Sequence, residues 1–326
     1  MLDPVKVATY SAEIRVRAVY RGVDSEMDAS VSEWLNLIGR WIHVITGIAW
    51  IGSSFFFNWL DSRLEKPAQS RHGVEGELWL VHSGGFYRME KLHVAPDQLP
   101  KTLHWFKWEA GFTWLSGMFL LLLTYHLGAG ALLEDPRTSP VSEVQGSLIL
   151  LGVLIAGWAI YDLIWATSFG QNNATAANIV CFILVTLVAY GLARLFSGPA
   201  AYFHVGALLG TIMAANVWMR IIPAQRALVE ATKAGTRPDP MLGLRAKQRS
   251  LHNNYMTLPV VFIMISVHFP STWGHHLNWL VLIAISVVGA GVRHYFNLRN
   301  KGRQQNWILP AAALGMLLIY FLVNNG

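Results

Sequence analysis

Three short stretches bring together side chains able to hold an anion and move a proton. RSLHNNYMTLP supplies His252, Asn253, Asn254 and Tyr255; VRHYFNLRN supplies Arg293, His294 and Asn297; LHWFKWEA supplies His104, Trp105 and Glu109. Arg220 closes one long apolar run, and Asp162 lies near the end of another. A guanidinium, amides and an aromatic face together form a receptor for a flat, anionic, hydrogen-bonding ring. On this reading Arg220 or Arg293 holds the anion, and Asn253, Asn254 and Asn297 read its carbonyl and N–H edges. His294 stands beside them, and Trp105 or Tyr255 stacks on the ring. Glu109, Asp162 or His252 is the candidate base, because partial burial raises a carboxylate toward neutrality or keeps an imidazole uncharged. The competing reading is structural. An arginine in hydrocarbon costs roughly 2.5–3.5 kcal/mol on insertion scales, so Arg293 needs an anionic partner, for which Glu109 or Asp162 would serve.

A second set of histidines lies toward the opposite ends of the apolar runs. His43 begins HVITGIAWIGSSFFF and His204 begins HVGALLGTIMAANVWMR. Gly47, one turn beyond His43, leaves room for a flat macrocycle, so His43 and His204 are expected as axial ligands of one haem b, with His268 as substitute. The alternative is a pair of hydrogen-bonded interhelical histidines. No His-x-x-x-His or Glu-x-x-His spacing supports a zinc or iron site among His82, His104, His252 and His294.

These residues have to be positioned by helices in lipid. Of 326 residues, 53% are hydrophobic and 13% charged, and the mean hydropathy is +0.37. That composition points to an integral membrane protein. Eight apolar segments are long enough to span: 34–60, 110–133, 146–168, 174–196, 200–222, 254–270, 276–297 and 306–323, the sixth being the shortest. The expected fold is therefore all-α, a bundle of about eight transmembrane helices (34–326) behind a polar N-terminal tail (1–33). That tail contains no apolar stretch of signal-peptide type. The single cysteine, Cys181, excludes internal disulfides and a Cys-x-x-Cys-His haem attachment in this chain. The net charge of +6 marks topology and not nucleic-acid binding, since no basic soluble surface carries it.

Most of the 25 Lys and Arg fall in the odd-numbered connections, which places those loops in the cytoplasm and both termini outside. Two cytoplasmic connections are long, 61–109 and 223–253. The first contains ELWLVHSGGFYRMEKL, which predicts a β-hairpin turning at Ser83-Gly84-Gly85 and capping the inner mouth of the bundle. The second predicts an amphipathic helix broken at Gly235, Pro238 and Pro240. Gly206, Gly210 and Ala214 recur every four residues, a face suited to close helix packing.

Six blocks in order, RWIHVITGIAWIGSSFFFNWLD, ELWLVHSGGFYRMEKL, LHWFKWEAGFTWLSG, HVGALLGTIMAANVWMRIIPAQ, LHNNYMTLPVVFIMIS and GVRHYFN, resemble the membrane-bound bacterial urate oxidase (urate hydroxylase) family. The resemblance covers nearly the whole chain from about residue 34. It implies an eight-helix membrane domain that oxidises urate to 5-hydroxyisourate in purine catabolism and passes electrons to a c-type cytochrome, which typical members carry as a periplasmic C-terminal domain. This sequence ends at Gly326 without a cytochrome motif, so the cytochrome is expected as a missing domain or a separate chain. His43, His204, His252, His268 and His294 lie in or beside the matching blocks, whereas His93 and His126 lie outside them. Expected partners are urate, the cytochrome and membrane lipid, with no nucleic acid. Two other readings are a b-type cytochrome subunit without purine chemistry and a transporter. The second is disfavoured because no inverted repeat stands out. His204 and Arg220 are separated by ~24 Å at helical rise, so electrons from the inner cluster have most of a bilayer to cross.

Overall fold

The computed structural model describes residues 4–69, 71–92, 99–126 and 143–325, leaving aside the side chains of 4–29 and of 143. His93 and residues 127–133 of the second predicted segment lie outside the described residues. Among the described residues the chain is helical with one hairpin. A long first helix, α1 (Pro4–Arg63), runs into strands β1 (Val74–His82) and β2 (Gly85–Leu92). Then follow α2 (Trp108–Leu121) with a π-helical turn (Leu122–His126), α3 (Glu143–Ala166), the short α4 (Ser168–Asn172), and α5 (Ala174–Leu195). Next, α6 (Gly198–Ala215) continues through a second π-turn (Asn216–Ile221) into α7 (Ile222–Lys233) without a break. The chain closes with α8 (Pro240–Ile265), α9 (Pro270–Trp273), α10 (Asn278–Asn300) and α11 (Ile308–Asn325). The α1 helix begins at Pro4 and so runs through most of the predicted polar tail.

Every predicted apolar segment falls mainly on helix where it is described, with turn or bend residues at some of the ends. Five stretches among the described residues are long and apolar enough to cross a membrane: Val144–Ala166, Ala174–Leu195, Gly198–Lys233, Asn278–Asn300 and Ile308–Asn325. The other three predicted segments fall on α1, α2 and α8. The start of α8 is polar (PMLGLRAKQRSLHNN), which leaves only its second half apolar. In α1, Asn36, Arg40 and His43 interrupt the run.

At the centre stands α6, packed by α2, α3, α5 and α8. It starts cleanly: Ser197 caps it by accepting from the Ala200 N–H (3.4 Å), and Pro199 occupies the first turn. A side chain on Gly206 would meet Ile263 of α8 at 2.7 Å, so the glycine permits that contact; the equivalent position at Gly210 faces open space. Close packing therefore uses only part of the predicted small-residue face.

The hairpin forms as expected. Ser83 (φ 49°) and Gly84 (φ 76°) make a two-residue turn with both residues left-handed, the geometry that matches the twist of paired strands. Backbone bonds between Glu65 and Glu77 fasten it to the end of α1. Its tip stands clear of the bundle, Val81 and Phe86 being 72% and 79% exposed, so only its base approaches the mouth of the bundle. There Asp61 of α1 accepts from Lys91 of β2 (3.0 Å) and from Lys247 of α8 (2.6 Å). Burial acts to raise the Asp61 carboxyl, but the two lysines outweigh it and hold the pKa below its ordinary value. Lys91, bonded to Asp61, is raised. The clasp is therefore present at neutral pH. Its Asp61 contribution is complete above the ordinary carboxylate pKa of about 3.9 and is lost as pH falls through the lower folded value. The Lys91 contribution is lost only as pH rises through its raised value. Limited proteolysis of the hairpin base should accelerate on acidification, and Asp61→Asn should show that faster cleavage at neutral pH.

Candidate functional site

Four consecutive residues of α8 point in four directions, because successive helical residues are turned by about 100°. His252 faces α3, where the Tyr161 hydroxyl lies 2.7 Å from Nδ1 and the Trp165 ring centroid 4.2 Å from the imidazole. Asn253 faces α6: its Oδ1 accepts from Asn216 Nδ2 (2.9 Å), and its Nδ2 donates to the Met213 carbonyl (2.9 Å). Asn254 faces α10, its Oδ1 shared by Arg293 Nε (2.9 Å) and Asn297 Nδ2 (2.8 Å). Tyr255 bonds His294 Nδ1 (2.6 Å). The polar residues do gather at one end of the bundle, but as two clusters divided by α8.

The first cluster centres on Asp162, 7% exposed. Arg220 grips it through Nε (2.8 Å) and Nη2, and Arg249 donates to its Oδ1 (2.9 Å) and to its backbone carbonyl (3.2 Å). Arg249 is itself 4% exposed and lies 4.9 Å from the Tyr161 ring centroid. Arg220 thus spends two donors on protein, and Asp162 is an ion-pair partner for two arginines, not for Arg293. Arg249, Tyr161 and Asn216 were not among the expected site residues. The available signal was periodicity, since Arg249 stands three and four residues before His252 and Asn253 on one helix.

The second cluster is built on Arg293. It is 6% exposed, and its guanidinium sits 3.6 Å from the Phe55 ring centroid. Its charge faces a neutral amide, Asn254, and no carboxylate among the described residues bonds to it. Arg293 Nη2 and Asn254 Nδ2 are buried donors without acceptors among the described residues, an arrangement native proteins seldom leave without a use.

Between α1, α7, α8 and α10 opens a cavity of about 910 Å³. Its wall includes Asn253, Tyr255, His294 and Asn297, together with Trp50, Phe57, His104 and Trp105. Asp61, Lys91, Lys247 and Lys301 stand around it as well. Arg293 and Asn254 are one layer behind Asn297. Asp162, Arg220 and His252 lie outside this wall, as does Glu109. Of the three candidate bases, Asp162 is held by arginines and His252 by Tyr161. Glu109 keeps one buried carboxylate oxygen, Oε2, without a partner among the described residues.

Toward the opposite ends of the helices, His43 lies across α2: its Nδ1 is 2.9 Å from the Thr113 carbonyl and 3.0 Å from Ser116 Oγ. A side chain at Gly117 would meet its ring at 2.9 Å, so that glycine makes room for the imidazole. His204 meets His126 instead, Nε2 to Nε2 at 3.1 Å, while His204 Nδ1 faces the Ala200 carbonyl (2.7 Å) and His126 Nδ1 faces Ser147 Oγ (2.7 Å). Gly117 and His126 are nine residues apart on one continuous helix, so the His43 and His204 rings are separated by on the order of 10 Å. Two imidazoles on one iron need their nitrogens roughly 4 Å apart, given metal–nitrogen bonds of about 2 Å. The expected haem b pair therefore does not fit this packing. His268, the substitute, is exposed beyond α8. His126, set outside the matching blocks, is the imidazole that reaches His204. The π-turn that carries it rotates the end of α2, as π-turns at functional positions often do.

Five helices among the described residues are long and apolar enough to cross a membrane, the mark of a multi-pass membrane protein, and the bundle carries a cavity at one end. Over residues 29–324 the chain matches the urate oxidase N-terminal family, and it belongs to that family. No curated protein and no solved structure matched. The family's name points to urate as the compound handled.

Proposed function

We propose that this chain is the membrane domain of a urate oxidase that binds urate in the 910 Å³ cavity and converts it to 5-hydroxyisourate. Eight helices would cross a bacterial inner membrane, with the cavity and the basic loops on the cytoplasmic side. Urate and water would give the hydroxylated product, two protons and two electrons, the electrons passing to a c-type cytochrome on the far face. The observation that carries this reading is Asn297 in the cavity wall with Asn254 and Arg293 one layer behind it, two of whose buried donors lack acceptors among the described residues. Urate is flat, anionic at neutral pH and rich in carbonyl acceptors, and it complements a donor-rich, cationic site. Lys91, Lys247 and Lys301 around the cavity would draw anions toward it, an effect that weakens with salt. Tyr255 and Trp105 offer ring faces for stacking. Glu109, the base candidate with an unengaged oxygen, lies outside the cavity wall and would take the attacking water's proton only through an intervening water.

Purified protein tests this directly. Urate should bind stoichiometrically by calorimetry and be consumed, with 5-hydroxyisourate formed, when an oxidised c-type cytochrome is supplied. Protein that neither binds nor consumes urate would return the cavity to another ligand.

A further inference from the structure

A second, smaller cavity of about 320 Å³ lies between α7 and the segment leading to α2. Its polar lining is Lys101, Thr102, Arg226, Glu230 and Lys233. Glu230 is held by Lys233 (2.9 Å), which neutralises one cation and leaves Lys101 and Arg226 without an ion pair among the described residues. Two unpaired cations and a hydroxyl over an apolar floor of Leu99, Pro100 and Val229 suit a tetrahedral oxyanion attached to, or free of, an apolar body. The position favours the same chemistry. Arg226 sits two turns beyond Trp218, whose ring packs against Trp108 under Lys107, an aromatic and basic girdle of the type found at membrane surfaces. Cations just outside such a girdle meet phosphate groups.

This pocket shares Leu103, Trp105 and Val229 with the large cavity. We propose that it binds a phosphate group, and that its occupant braces the Trp105 wall and so couples phosphate binding to the cavity beside it. The coupling rests on the proposed urate site; the phosphate site does not.

The test uses the full chain in nanodiscs of phosphatidylcholine alone or with about a third phosphatidylglycerol, and in detergent with inorganic phosphate. Thermal unfolding and native mass spectrometry report binding, and calorimetry reports urate affinity in parallel. One phosphate source should protect the wild type. Lys101→Gln and Arg226→Gln, both at exposed positions, should each weaken that protection about fivefold while circular dichroism stays unchanged. Protection by inorganic phosphate in detergent identifies a free anion as ligand, and protection only by phosphatidylglycerol identifies a headgroup. No response to either source, or equal responses in wild type and both variants, overturns the site. Phosphate protection with no urate binding would refute the urate reading alone, and urate binding without any phosphate response would refute this inference alone.

Discussion

Asp162→Ala should destabilise the protein by about 3–5 kcal/mol, the cost of leaving a buried charge without its partner. Most of that cost falls on Arg249, whose side chain is 5% exposed, and little on Arg220, which is 44% exposed and can turn to water. Arg249 has a further reason to be sensitive, because its Nη1 already lacks an acceptor among the described residues. Asp162→Asn should recover little, since it keeps the shape and removes the charge. The double variant Asp162→Ala/Arg249→Met should regain much of the loss, because removing both members of a buried pair costs far less than removing one. Chemical unfolding in detergent followed by circular dichroism measures all three. A single Asp162→Ala variant within about 0.5 kcal/mol of wild type, the range of surface substitutions, would mean that Arg249 reaches water.

Arg293→Gln should behave in the opposite way: urate affinity falls by roughly thirtyfold or more, while stability holds or rises. The binding loss follows from removing a buried cation from a charge-assisted contact, about 2–5 kcal/mol. Stability should survive because Arg293 bonds the neutral amide of Asn254 and lies over Phe55, so the substitution takes away a buried charge that no carboxylate among the described residues offsets. The split between the two readouts separates a ligand-holding arginine from a packing arginine. Wild-type urate affinity in Arg293→Gln would assign the residue to the Phe55 contact. Arg293→Lys should restore only part of the affinity, since an ammonium lacks the planar fork.

Local chemistry explains what could be read in advance. The hairpin depends on Ser83 and Gly84 adopting left-handed backbone, and the break between α7 and α8 depends on Gly235 (φ 67°) and Pro240, all of which are properties of single residues. Long apolar runs likewise specify helices without reference to neighbours. Partner choice is different, because it depends on how each helix is rotated. The HNNY quartet reads as one cluster in a line of text and becomes four contacts to three helices in space. Arg249 was hidden among Arg245 and Lys247, where it resembles one more loop cation. His126 was set aside because it lies outside the blocks that carry the resemblance, although a π-turn brings it to His204. The clustering of costly side chains at one end was legible; which arginine faces which carboxylate was not.

The unbroken run from Gly198 to Lys233 is 36 residues long, about 54 Å at helical rise against a hydrocarbon thickness of about 30 Å. Roughly two-fifths of this rod therefore projects from the lipid, and the π-turn that holds Asn216 and Arg220 interrupts its α-helical ladder. A pull or a twist applied to the water-side end at Lys233 is carried to that turn with little slack, so the aqueous part of the helix acts as a handle on the polar layer within the bundle.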